Sequence, residues 1–398
     1  MFGSKKPKRI YLDWAAATPM LSEVLSAMTP YLTECFGNPS AVHSEGFEAR
    51  QAIDEARTSV AKSVQVRPEY VTFTGGGTEG NNMSIIGLVE SMIESGKHYS
   101  DLEVITTKIE HPSVIKTVKR LARLGVQVRY LEVDAVGKIK LDSLQSLINE
   151  KTVLVSVTYA NSEIGVIQPL RQIKKVLREA ENRFSTDIYF HVDGAQAPLW
   201  LTCQADAVSA DLFTLDTSKC CGPKSVGVLI RSRRVKLSPM MFGGGQENGL
   251  RSGTENVAGI VGAAKALSVA TSNFKTNTER VSQVRDQTIL YIKKQVPEAI
   301  LNGPDKNDRI ANNINISLPG LDTEYATVVL DNQGFAVSTK SACSGAGGGE
   351  STVVKVISGD SDRAASTLRI TLGTATKIQD LENLVDQLKN HVEKMRGI

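Results

Sequence analysis

Four short segments carry residue types able to do chemistry. The first is Thr74-Gly-Gly-Gly-Thr-Glu-Gly-Asn-Asn82, between a β-rich run at 70–74 and a helical pattern over 80–94. Glycines between a strand and a helix let backbone N–H groups face an anion, and the helix N-terminus adds partial positive charge. Thr78 adds a hydroxyl. The run is neither G-x-x-x-x-G-K-[ST] nor G-x-G-x-x-G, so anion binding and a merely tight turn both stay open. The second segment is Phe190-His-Val-Asp-Gly-Ala-Gln196, where an apolar strand delivers Asp193 at its carboxyl end. Ligands bind at that end in open α/β sheets, and an acid there wants a cationic partner such as a protonated pyridine nitrogen. A cap on a following helix is the other reading. The third is Leu215-Asp-Thr-Ser-Lys-Cys-Cys-Gly-Pro223, twenty-six residues on, whose Lys219 is able to form a Schiff base with an aldehyde. Alone it reads equally as a solvated loop lysine. The fourth is Val337-Ser-Thr-Lys-Ser-Ala-Cys-Ser-Gly-Ala-Gly-Gly-Gly-Glu350, small and polar around Cys343. It reads as a mobile loop. A thiol there needs its thiolate form to attack, and Lys340 three residues earlier favours it.

These segments need a scaffold. Strand patterns at 103–107, 126–131, 153–158, 188–192, 212–215 and 226–230 alternate with helical patterns at 113–124, 141–150 and 172–182. That order predicts an α/β fold with a mostly parallel sheet covered by helices. After Gly253 the texture changes to an Ala- and Gly-rich helix, a charged helical stretch, and short strands near 313–317, 336–338 and 368–372. We read a large domain over 1–260 and a smaller α+β domain over 261–398, with residues 1–25 a candidate to pack on the second.

Composition narrows the function classes. Of 398 residues, 41% are hydrophobic and 22% charged, which excludes a disordered or collagenous chain. A net charge of +3 with no basic stripe disfavours nucleic-acid binding by bulk charge. The five cysteines, Cys35, Cys203, Cys220, Cys221 and Cys343, are scattered and odd in number, so they form no disulfide framework. No C-x-x-C or His cluster supports a metal at Cys220-Cys221. The basic start, Met1 to Arg9, lacks a following apolar stretch and reads as a solvated tail rather than a signal peptide. With no run of about 18 apolar residues, a soluble, cytoplasmic protein with no membrane partner is expected.

Taken together, the segments resemble the fold-type I pyridoxal-phosphate (PLP) enzymes, and more narrowly the cysteine desulfurase group of the class V aminotransferases. The resemblance runs from about Tyr11 to Gly373. Tyr11-Leu-Asp-Trp-Ala-Ala-Ala-Thr-Pro19, Gly37-Asn-Pro-Ser-Ala-Val-His-Ser-Glu-Gly46, Ile109-Glu-His-Pro-Ser-Val114, Asn161-Ser-Glu-Ile-Gly165, Phe242-Gly-Gly-Gly-Gln-Glu247, Arg251-Ser-Gly-Thr-Glu-Asn256 and Ser341-Ala-Cys343 stand in the family's order. The resemblance implies that Lys219 carries the cofactor, Asp193 pairs with its ring nitrogen, and His111 stacks on the ring and moves protons. It implies Gly77, Thr78 and Thr217 at the phosphate, joined by Thr254 from the other subunit of a homodimer. Gln196 and Ser162 fall where the ring oxygen is contacted, and Asn38 and Arg369 where the substrate carboxylate is held, a task for which the Arg fork is suited. Cys343 falls on the nucleophile that takes sulfur from L-cysteine. The twenty-six residues from Cys343 to Arg369 resemble the long-loop subgroup, which passes sulfur to scaffold or carrier proteins for iron–sulfur cluster, thio-cofactor or tRNA pathways.

Three positions depart from the pattern: Ser162 for Asn, Asp216 for a phosphate-binding Ser, and Ser218 for His. An acid near a phosphate repels it unless the side chain turns away or meets a cation. The phosphate is then expected to rely on Thr217, Thr78, the loop amides and Thr254. A selenocysteine lyase or another class V activity remains an alternative, as does a sulfur-assembly partner without turnover.

Overall fold

The computed structural model describes residues 8–339 and 349–397. Its strands are β1 (Ile10–Tyr11), β2 (Val71–Thr74), β3 (Glu103–Thr107), β4 (Gln127–Leu131), β5 (Thr152–Thr158), β6 (Tyr189–Asp193), β7 (Leu212–Asp216), β8 (Gly227–Arg231), β9 (Ile300–Leu301), β10 (Asn313–Ser317), β11 (Phe335–Ala336) and β12 (Thr367–Thr371). Seven form one sheet in the order β2-β8-β7-β6-β5-β3-β4. β8 is antiparallel to both neighbours and every other pair is parallel, so β8 alone runs against the rest. The mostly parallel α/β sheet expected from the strand–helix alternation is therefore present.

Successive strand residues point to opposite faces, and the packing follows that period. Val104, Leu154 and Leu212 pack with Ile85, Leu88, Val114, Val118 and Leu121 of the helices Gly77–Glu94 and Pro112–Leu124. Their neighbours Ile105, Val155 and Phe213 join the opposite core with Ile173 and Leu177 of the helix Leu170–Phe184. With both faces covered, every residue of β5 is buried. A fully buried aliphatic side chain stabilises by roughly 1.5–3 kcal/mol, which makes this sheet a stiff base for whatever its edge carries.

The long helix Val257–Gln295 spans 39 residues, and Asn256 caps it by accepting from the Gly259 amide at 3.0 Å. It packs on the helix Ser44–Val64 and on the C-terminal helix Ile378–Arg396. The boundary read between 260 and 261 lies inside this one helix. Its first half is apolar enough for a membrane by composition, yet Ile260, Ala263, Ala264, Ala266 and Leu267 are buried inside the protein.

β9, β10 and β12 form an antiparallel sheet, and β1 pairs parallel with β11. The N-terminal strand thus lies among the C-terminal elements. Three bonds tie β10 and its approach to the loop after β5: Asn313 Nδ2 and Asn315 Nδ2 donate to the Glu163 carbonyl at 2.9 and 3.0 Å, and Arg309 Nη1 donates to the Ile164 carbonyl at 3.0 Å. Arg369, opposite Asn315 on β12, is carried toward the main sheet by that anchoring.

Candidate active site

Because β2, β3, β5, β6 and β7 run the same way, their carboxyl ends share one edge of the sheet. Each end feeds a loop: Gly75 to Thr78 after β2, Lys108 to His111 after β3, Tyr159 to Glu163 after β5, Gly194 to Gln196 after β6 and Thr217 to Lys219 after β7. These loops and Arg369 line a cavity of about 180 Å³, far more than the 10–15 Å³ or so that one water needs. Ligand binding at that edge is the general behaviour of such sheets.

At one end stands Asp193, 6% exposed. Its Oδ2 accepts from Asn81 Nδ2 at 2.8 Å and its Oδ1 from the Ala195 amide at 3.0 Å. Asn81 lies on the helix after the glycine loop and also donates to Ser113 Oγ at 2.9 Å, while its own Oδ1 has no partner. The strand that delivers Asp193 is held on both sides by buried His191, which meets Ser156 Oγ at 2.8 Å and Thr214 Oγ1 at 3.1 Å. Burial holds that imidazole down at about 3, so it is neutral at neutral pH. Gly194 is required just beyond, because a Cβ there would lie 2.1 Å from the Phe213 ring.

His111 caps the helix Pro112–Leu124, its Nδ1 accepting from the Ser113 amide at 3.1 Å. Beside it, Glu110 is fully buried, and burial raises its carboxyl to about 8, with the Asp193 charge adding to the rise. Thr107 Oγ1 donates to Glu110 Oε1 at 2.6 Å and Oε2 has no partner. Glu110 is thus a neutral acid at neutral pH.

The N-terminal segment crosses the site. Lys219 Nζ donates to the Ala16 carbonyl, and Gln196 Nε2 to the Ala15 carbonyl at 3.0 Å. Thr18 clamps the Lys219 turn, its hydroxyl donating to the Ser218 carbonyl at 2.9 Å and accepting from the Cys221 amide at 2.7 Å. Asp13 Oδ1 accepts from Arg369 Nη2 at 2.8 Å. Arg369 is 2% exposed, also donates to the Ser162 carbonyl at 3.3 Å, and keeps an unpartnered Nε. A buried guanidinium at the cavity wall, held by Asp13 and a backbone carbonyl, suits a carboxylate ligand.

At the other end, the loop Gly75 to Thr78 starts the helix Gly77–Glu94. Gly76 has φ 127°, a conformation that side chains disfavour. Two loop amides are already engaged by the chain's own acids: Gly75 N–H donates to Glu79 Oε2 at 2.9 Å, and Gly77 N–H to Asp216 Oδ2 at 3.1 Å. Asp216 does not turn away and, among the described residues, meets no cation there; it sits on the amide.

Thus Lys219, Asp193, His111, Gly77, Thr78, Gln196, Ser162 and Arg369 line one cavity. Three expected residues do not. Thr217, expected at the phosphate, is buried with its hydroxyl turned to the Pro223 and Val226 carbonyls, both at 2.8 Å. It fixes the turn before Lys219. Asn38 is exposed and its Oδ1 accepts from the Ser40 amide at 2.9 Å, away from the cavity of its own chain. Thr254 is also exposed and off that cavity. Cys343 and Lys340 lie outside the described residues. The segments on either side are anchored at the site: Ser338 pairs with Arg369, and Ser351 Oγ donates to Glu163 Oε2 at 2.6 Å. Cys203 and Cys220 are buried, their thiols pushed up by burial, to about 12 for Cys203, so neither forms a ready thiolate.

Sequence reasoning missed Asn81, Asp13, Glu163 and Glu110 as parts of the site. Asn81 had a signal, since it stands one helical turn after Gly77 and shares its face. Asp13 and the carbonyls of Ala15 and Ala16 had none, because only the fold brings the N-terminal segment across the strand ends.

The sequence model of the family described as Aminotransferase class-V matches residues 10–384. A protein named cysteine desulfurase IscS from Dictyoglomus turgidum is 39% identical over 98% of this chain and 96% of its own length. Among solved structures, one titled NifS-like protein superposes with a TM-score of 0.88 at 30% identity, covering 97% of this chain and 99% of the other. Another, titled SspA in complex with cysteine, gives 0.75 at 31% identity over 91% of this chain and 98% of the other.

Proposed function

The chain belongs to the class V aminotransferase family, and from that premise we propose that it is a PLP-dependent cysteine desulfurase, converting L-cysteine to L-alanine with a persulfide left on Cys343. The observation that carries this reading is the convergence of Lys219, Asp193, His111 and Arg369 on one cavity. The names of full-length relatives agree with it.

The donor set fits the cofactor. A primary amine at Lys219, a buried carboxylate at Asp193 and a helix N-terminus at Gly77 stand around the same space. Pyridoxal phosphate, when bound, supplies an aldehyde for the substrate amine and a ring that withdraws electrons from the substrate α-carbon. Lys219 would provide the amine that holds the aldehyde end and the base that takes the substrate α-proton. Asp193, fixed by Asn81 and the Ala195 amide, keeps a proton on the ring nitrogen. Gln196 and Ser162 serve the ring oxygen, Gly77 and Thr78 the phosphate, and His111 the proton transfers. Arg369, at the cavity wall, orients the substrate carboxylate. Cys343 Sγ then attacks the substrate sulfur; the substrate Cβ–S bond breaks, and its electron pair is protonated on carbon to give alanine.

The reading extends to a cytoplasmic homodimer in which Thr254 and Asn38 work on the partner's side, and to a protein acceptor for the sulfur. Support for the dimer is a groove lined by Pro39, Arg50, Gly244 and Gln246, with exposed Phe47 and Phe242 on the same segments.

The test is to add cysteine to purified, PLP-supplemented protein, assay alanine and map persulfide by mass spectrometry. Alanine should appear with persulfide on Cys343. Lys219→Ala should give neither. Cys343→Ala should keep the cysteine-induced spectral change and lose the persulfide. Persulfide on Cys220 or Cys221 with Cys343 unmodified would overturn the nucleophile assignment. Undiminished sulfide release by Cys343→Ala without added thiol would favour a lyase.

A further inference from the structure

We propose that Asp216 is a specificity-determining residue for the cofactor's anionic end: its carboxylate occupies the Gly77 amide as a resident anion and must yield before a phosphate can use it. The proposal rests on the PLP reading above and concerns what this chain does to it. Both carboxylate oxygens are held. Oδ2 accepts from the Gly77 amide at 3.1 Å, while Oδ1 accepts from the Ser218 amide at 2.9 Å and the Ser218 hydroxyl at 2.6 Å. A Cβ built on Gly77 would lie 3.1 Å from Oδ2, so the carboxylate packs directly on the loop backbone. The loop's neighbouring amide, Gly75, is taken by Glu79, and Glu79 also claims the nearby cation Arg251 at 3.1 Å. Thr217, the neighbour of Asp216, offers no hydroxyl in exchange, since both its bonds go to carbonyls of the following turn.

A phosphate approaching this helix N-terminus therefore meets a like charge already bonded there. Like charges that share one set of donors disfavour each other, and a hydrogen bond to an ionised group is among the stronger single contacts. At the ring and amine ends, among the described residues, Lys219 and Gln196 meet neutral backbone carbonyls rather than a like charge, so the penalty falls on the phosphate. The chain is expected to bind PLP weakly for its donor set, and to discriminate little between PLP and the unphosphorylated aldehyde pyridoxal.

The experiment titrates PLP, and separately pyridoxal, into the cofactor-stripped full-length chain and its Asp216→Ser and Asp216→Asn variants, following cofactor absorbance. Asn keeps the shape and one acceptor oxygen, enough for the Ser218 amide or the Gly77 amide but not both, while losing the charge, so this variant guards against simple misfolding. Asp216→Ser should bind PLP at least about tenfold more tightly than the parent, Asn should fall between, and pyridoxal affinity should change less than about twofold. Inorganic phosphate should raise the melting temperature of the Ser variant and leave the parent unmoved. Equal PLP affinity in parent and variants, or an equal gain for pyridoxal, would overturn the proposal while leaving the PLP reading standing. Absence of PLP binding in all three would overturn that reading, and this proposal with it.

Discussion

The two ends of the cavity rise from the same sheet edge and treat charge in opposite ways. At the ring end, buried Asp193 is fixed by Asn81 and the Ala195 amide, and its neighbour Glu110 is neutral. One negative charge is thus held toward the cavity with a second suppressed beside it. At the phosphate end, donors built for an anion are already bonded to Glu79 and Asp216. The ring end presents an acid fixed by neutral donors, and the other end has its loop amides bonded to the chain's own acids. On the proposed reading, the donor set defines where a cofactor goes, and the acids standing on those donors set how firmly it stays.

The contrast can be broken from the ring end first. Asp193→Asn should lower kcat by about 10²–10³-fold, in line with the loss of one preorganised electrostatic contact, with the fold kept because the Ala195 amide retains an acceptor. A kcat within a few-fold of the parent, by alanine assay, would show that the ring end is not prepared for a cation. Asn81→Ala should act through Asp193: kcat falls about tenfold, and the pH profile shifts as the carboxylate loses its donor. A fall in kcat with no shift in the profile would mark Asn81 as merely structural.

Glu110 tests the suppression of the second charge. Its carboxyl is raised from 4.5 to about 8 by burial. Between those values the native state keeps a proton that the unfolded chain has lost, so stability falls as pH rises through that window and levels off above it. Glu110→Gln should flatten that slope and gain about 1–3 kcal/mol near its upper end, measured by urea unfolding across the window. An unchanged slope would place the ionised form in the native state. The smallest effects belong to the departures at Ser162 and Ser218. Ser162→Asn and Ser218→His should leave the fold intact and keep or raise the turnover rate by a few-fold. Loss of activity in both would mean that the site around Lys219 is rebuilt for the shorter side chains.

Much of this was legible in the sequence. The alternation of strands and helices gave the sheet, and the positions of Asp193, Lys219 and the glycine loop at strand ends followed from it, because strand period and strand direction are local properties. Asp216 was visible as an acid in an odd place, but its seat was not, since Gly77 lies 139 residues away in the chain. The bonds of the Thr217 hydroxyl were hidden for a related reason: a hydroxyl beside Lys219 looks like a ligand until the turn to Pro223 and Val226 is closed. Arg369 was located by resemblance, while its contact with Asp13 depends on the first strand crossing to the last sheet.

The placement of β2 has a consequence for how the molecule is made. This strand ends in the glycine loop, sits at the sheet margin and pairs with β8 alone, Val71 lying against Ile230. A ribosome must therefore finish some 160 residues beyond β2 before the loop has a partner to set its position. Contacts of such sequence separation form late and slowly. The parallel strands β3 to β7 and the Asp193 end can assemble earlier, and the phosphate end is completed in the same event that brings β7, and Asp216 with it, against β8. The glycine loop and the acid that occupies its Gly77 amide are thus born together.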